Sequence, residues 1–141
     1  MSVNSYSYDE IHLGMQATFS KVVTQEYVDA FREQTGDINP LHRDVEFAKS
    51  KGYDNIVAFG MLTASYLSTL AGVYLPGERS IIHSVEMKFL KPVYINDTLT
   101  VKGTVKEKND LFRFIVVGAE ITNQHGQKVS KAKINIGVIN E

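Results

Sequence analysis

An α+β domain, with one antiparallel sheet wrapped around a buried helix, is the fold class that this sequence predicts. Three observations predict it. The front half, to about residue 75, carries helical periodicity and helix caps, whereas the back half alternates apolar and polar residues with a period of two. Between them, Gly60 to Leu75 is apolar almost all round, with Thr63, Ser65, Ser68 and Thr69 as its only polar residues, all of them small. At about sixteen residues it is too short to cross a bilayer, and it reads as a helix buried on nearly all sides.

The elements follow in order. Residues 13–23 read as strand. Thr24 caps a helix over 25–35, with Glu26 in its first turn and Gly36 just past its end. Tyr27, Ala30 and Phe31 share one face of that helix, which is expected to pack inward. Asp44 caps a short helix ending near Gly52, and Pro76-Gly77 stops the apolar helix. Four alternating sets then read as half-buried strands: Ile81 to Phe89, Leu99 to Val105, Ile115 to Ile121 and Ala132 to Val138. Turns at Glu107–Asp110 and Asn123–Gly126 are short enough for antiparallel hairpins.

Length and composition bound the rest. The 141 residues suit a single domain over 1–141, with no repeat or low-complexity linker to divide them. A formal net charge of −1 argues against nucleic acid held by bulk electrostatics. Lys128, Lys131 and Lys133 read as a solvated strand face, with attraction of a phosphorylated ligand as the lesser alternative. The absence of cysteine excludes disulfides and thiolate chemistry, and fits a reducing compartment. The polar start, Met1 to Glu10, lacks the apolar stretch of a signal peptide, and no segment is long enough to span a membrane. A cytoplasmic protein with no membrane partner is expected.

The densest chemistry lies in Gly36-Asp37-Ile38-Asn39-Pro40-Leu41-His42. Pro40 lacks an amide hydrogen and pushes Asn39 toward extended backbone, so a carboxylate and an imidazole share a constrained connector. Taken singly, Gly-Asp and Asn-Pro are ordinary turns and a lone His42 is an ordinary surface histidine. The other histidines, His12, His83 and His125, show no metal-ligand spacing.

Phe31, the run from Thr35 to His42, Asp44, Phe47 and Ala48 match position by position the signature of the MaoC-like (R)-specific enoyl-CoA hydratases and dehydratases, which have the hot-dog fold. Gly60-Met61-Leu62-Thr63-Ala64-Ser65 resembles the start of that family's central helix, and Phe89-Leu90-Lys91-Pro92-Val93 its substrate-side strand. The resemblance runs from about Tyr8 to Val138.

It implies Asp37 and His42 as the catalytic pair and the Gly60 amide as receiver of the thioester oxygen. It also implies Asn39 as holder of the loop or of a polar group in the site, and Ser68 as a serine that shapes or polarises it. For Ser68 the alternative, a hydroxyl bonded to the preceding turn's carbonyl, stays open, as does a packing or capping role for Gly60. One departure stands out. Family members commonly carry histidine before the glycine-methionine, and this chain has Phe59, which bears on acyl preference more than on the hydration chemistry.

The implied reaction is reversible syn hydration of a trans-2-enoyl-CoA to the (R)-3-hydroxyacyl-CoA by a hydro-lyase, with no metal or redox cofactor. The implied partners are an acyl-CoA or acyl carrier protein thioester and a second copy of the chain, as a homodimer. Two alternatives remain: a dehydratase for a specialised 3-hydroxyacyl thioester, and a non-catalytic acyl-thioester-binding protein.

Overall fold

A computed structural model describes residues 2–140. Five strands, β1 (Gln16–Val22), β2 (Ser80–Phe89), β3 (Thr98–Asn109), β4 (Phe114–Thr122) and β5 (Lys128–Val138), form one antiparallel sheet in the order β1-β3-β4-β5-β2. Helix α1 (Gln25–Thr35), the short α2 (Val45–Ser50) and the central α3 (Gly60–Thr69) precede the four strands of the back half. This is the expected α+β class. No helix among the described residues is long and apolar enough to cross a membrane.

Register explains how the sheet reaches the site. One inward row runs from Phe19 through Val101, Ile121 and Ser130 to Phe89, crossing all five strands. Val101, Ile121 and Ser130 are buried beneath α3, but Phe89, at the β2 edge, is 51% exposed. The outward row beside it carries Lys102, Glu120, Lys131 and Lys88. Lys128, Lys131 and Lys133 are all exposed, and Lys128 pairs with Glu120 at 3.0 Å. Leu67 and Leu70 of the central segment pack into the core with Ile115, Val117, Ile134 and Ile136. Burying a side chain of that size stabilises the fold by about 1.5–3 kcal/mol.

Several expectations need correction. The central helix is not covered on nearly all sides: Leu62, Thr63, Tyr66 and Leu67 are buried, but Met61 (66% exposed), Ser65 and Ser68 form an open stripe. A single sheet covers one side of a helix, and α1 reaches only another. The helix also changes winding, continuing from Leu70 to Tyr74 as a π-helical turn. Strand β2 is exposed on both faces for most of its length, as an edge strand of the sheet. Tyr27 and Ala30 do not pack inward; with Phe31, Leu62 and Tyr66 they line an open apolar recess of about 260 Å³. Finally, β3 runs on to Asn109 through a bulge between Val105 and Glu107, which moves the first hairpin turn beyond the expected Glu107–Asp110.

Candidate active site

The connector after α1 is built by local hydrogen bonds. Thr24 accepts from the Tyr27 N–H at 3.2 Å to start the helix, and Gly36 ends it at φ 75°, donating its N–H to the Arg32 carbonyl at 2.9 Å. Asp37 then donates its N–H to the Thr35 hydroxyl, while its own carboxylate accepts the Asn39 N–H at 3.1 Å. The Asn39 side chain accepts the Leu41 N–H at 3.0 Å, capping a 3₁₀ turn, Pro40–His42, that delivers the imidazole. Arg32 clamps this turn to α1 by donating to the His42 carbonyl at 3.0 Å.

His42 is oriented by main chain. Its Nδ1 lies 2.7 Å from the Val57 carbonyl, a group that can only accept, so Nδ1 carries the hydrogen and Nε2 is free for proton transfer. The ring packs on Phe59 with centroids 4.3 Å apart, and Phe59 in turn packs on Phe31 at 4.9 Å. Phe59 is 2% exposed. The apolar residue that departs from the family pattern therefore backs the imidazole as a fixed wall.

Phe59 also begins α3, and its side chain has no acceptor to cap it. The first amides of α3 have no partner within the helix, and they lie at the positive end of its dipole. Gly60 needs its missing side chain here. A Cβ would stand 3.2 Å from the Phe89 ring, so the bare Cα lets the ring close over the helix start.

Two cavities meet at this point. The outer one, about 470 Å³, is lined by Asp37, His42, Phe59, Gly60, Met61 and Phe89 among others, and most of its lining is apolar. The inner one, about 310 Å³, shares His42, Gly60 and Phe89, and adds Tyr53, Thr63, Ser130 and the run Leu90 to Val93. Asp37, His42, Gly60 and Phe59 are thus brought together. Asp37 and His42 border the same space with no hydrogen bond between them among the described residues. Asn39 is exposed and acts on the loop beneath. Ser68 is exposed on α3, eight residues past Gly60, and lines neither cavity.

Sequence reasoning missed Arg32, Val57 and Thr63. Arg32 and Val57 act through contacts between segments, which no motif encodes, whereas Thr63 lay inside the run already singled out. Among the described residues, no group of three or more His, Asp or Glu side chains is arranged to hold a metal.

Residues 10–127 match the model of the MaoC-like domain. The chain belongs to the MaoC-like domain family. It is 32% identical to the (R)-specific enoyl-CoA hydratase of Rhodospirillum rubrum over 105 residues, covering 72% of this chain and 73% of that protein. It is 35% identical to the (R)-specific enoyl-CoA hydratase of Aeromonas caviae, covering 70% and 74%. Among solved structures, the unliganded R-hydratase PhaJ1 of Pseudomonas aeruginosa superposes with a TM-score of 0.91 at 27% identity, covering 99% of this chain and 89% of that one. The MaoC-like chain therefore has the hot-dog fold that the resemblance implied.

Proposed function

We propose that this MaoC-like chain is a hydro-lyase that reversibly adds water to a trans-2-enoyl thioester, giving the (R)-3-hydroxyacyl thioester. One observation carries the reading: a carboxylate, an imidazole with a free Nε2 and an uncapped helix start open on one cavity. In the hydration direction, the water oxygen bonds to C3 and one of its protons passes to the Asp37–His42 pair. Negative charge gathers on the thioester oxygen, where the Gly60 N–H and the α3 dipole stabilise it. The pair then returns a proton to C2, so one water is consumed and no redox change occurs. Asp37 and His42 work as a unit, and the order of their proton transfers belongs to the pair.

Coenzyme A is the favoured carrier, and an acyl carrier protein thioester would undergo the same chemistry. Phe59 makes the wall beside His42 apolar, which favours hydrocarbon next to the reacting carbons over polar substituents. The same wall motivates a second reading, dehydration of a specialised 3-hydroxyacyl thioester.

The working unit is a homodimer. Strand β2 is a free sheet edge, and Ile82, Val85, Phe89 and the nearby Met61 are exposed apolar groups of the kind a second sheet edge and helix would cover.

Crotonyl-CoA and its saturated analogue butyryl-CoA test the reading. Loss of enoyl absorbance, with only the (R)-3-hydroxybutyryl product, is expected. Binding of butyryl-CoA without turnover of crotonyl-CoA or of longer enoyl-CoA chains would instead identify a thioester-binding protein. Gly60→Val is expected to lower kcat by at least tenfold. Its first side-chain atom meets Phe89 at 3.2 Å, and the added bulk displaces the carbonyl from the amide. Unchanged kcat in that variant would place the oxyanion elsewhere.

A further inference from the structure

The Thr63 hydroxyl is a buried polar group that the mechanism above does not use. Thr63 is 1% exposed, and its Oγ1 is shielded from solvent with no hydrogen-bond partner. A threonine within a helix ordinarily donates to the carbonyl one turn back. Here that carbonyl, of Phe59, already accepts the Leu62 N–H at 3.1 Å and the Thr63 N–H at 3.3 Å. Valine would fill the same space with no hydroxyl to desolvate, so in the empty protein this group costs stability. Something entering the cavity can reverse that cost.

Position indicates what enters. Among the described residues, only Thr63 Oγ1 of the buried side-chain atoms without a partner belongs to a residue lining a cavity with His42 and Gly60. Helical side chains lean toward the helix N-terminus, which sets the hydroxyl on the Gly60 side of its own Cα, one turn below the free amide. Phe89 borders both cavities with its ring against Gly60, and in the single chain it is half-exposed.

We infer that Thr63 is a second substrate-contacting donor, its hydroxyl bonding the same thioester oxygen as the Gly60 N–H once Phe89 turns aside. The inference rests on the hydration reading for the identity of that oxygen. Two donors converging on it would hold the developing enolate more tightly than one, and a hydroxyl without a competing partner is ready to do so.

The test compares wild type, Thr63→Val, Thr63→Ser and Asp37→Asn in crotonyl-CoA hydration, alongside thermal melting. Thr63→Val is expected to lower kcat by about 100-fold with KM nearly unchanged, while its melting temperature stays level or rises. Thr63→Ser should recover most of the lost rate. Thr63→Ala serves the same comparison if valine disturbs folding. The inference is overturned if Thr63→Val keeps kcat within threefold of wild type, or if serine is as poor as valine. If wild type is no faster than Asp37→Asn, the hydration reading itself has failed. Calorimetric binding of butyryl-CoA then decides Thr63: affinity at least fivefold weaker in Thr63→Val sustains the contact, and equal affinity removes it.

Discussion

Asp37→Asn and His42→Ala should each lower kcat/KM for crotonyl-CoA hydration by about 10²- to 10⁴-fold, the range that a positioned acid or base contributes. The asparagine variant is the sharper instrument. Its amide oxygen can still accept the Asn39 N–H that the Asp37 carboxylate accepts at 3.1 Å, so the loop keeps its shape while the charge is lost. Alanine at position 42 removes the ring, with its packing on Phe59 and its bond to the Val57 carbonyl, but leaves two clamps on the turn: Arg32 donating to the carbonyl of residue 42, and the Val57 N–H donating to the Leu41 carbonyl at 3.2 Å. Both variants should melt close to wild type, because Asp37 is exposed and His42 only half-buried. The double variant should be scarcely worse than the poorer single one, as expected of groups acting on one water. Either variant retaining more than a tenth of wild-type activity would remove that residue from the pair.

Val85→Lys should convert the proposed homodimer to monomer. Val85 lies on the inward side of the β2 edge, opposite Ile134 of β5, and is 44% exposed in the single chain. An interface of ordinary size buries about 800 Å² per partner, and an unpaired ammonium group buried near its centre is not tolerated. Sedimentation at micromolar concentration should report halved mass, and hydration should fall at least tenfold. The fall follows from geometry: Met61 and Phe89, which wall the outer cavity, are 66% and 51% exposed, so in the monomer the reacting carbons meet bulk water. A variant that sediments as wild type does, or a wild type that is monomeric yet fully active, contradicts this assembly.

Local rules made much of the fold legible. Thr24 and Gly36 bound α1 where the cap residues predicted, and Asp44 accepts the Phe47 N–H at the start of α2. Asn96 turns the chain at φ 70°, a left-handed conformation that asparagine tolerates better than most residues. What escaped was set by tertiary context. Alternation predicts that one face of β2 is apolar, but whether that face is covered depends on the strand's place at the edge of the sheet. The same holds for Tyr27 and Ala30, whose face meets an open recess instead of the core. The π-helical turn at Leu70–Tyr74 has no signature in a run of apolar residues. In the site, Asp37, His42, Gly60 and Phe59 were legible as one motif plus one helix start, and the run from Phe89 to Val93 lines the inner cavity throughout. Ser68 shares with Met61 and Ser65 a stripe that faces outward from the single chain.

The contact from His42 Nδ1 to the Val57 carbonyl carries a consequence for how this protein can change. That carbonyl belongs to the main chain and is present whichever amino acid occupies position 57. Exchange of a neighbouring side chain can reshape the walls around the imidazole, yet it cannot reassign which ring nitrogen holds the hydrogen. Pocket contours are therefore open to variation under selection or in the laboratory, while the hydrogen bond that orients the ring through Nδ1 comes from main chain. Libraries aimed at new acyl groups can start from Met61 and Phe89, which line the cavity and are exposed in the single chain, whereas Phe59 is buried against the imidazole and carries its position.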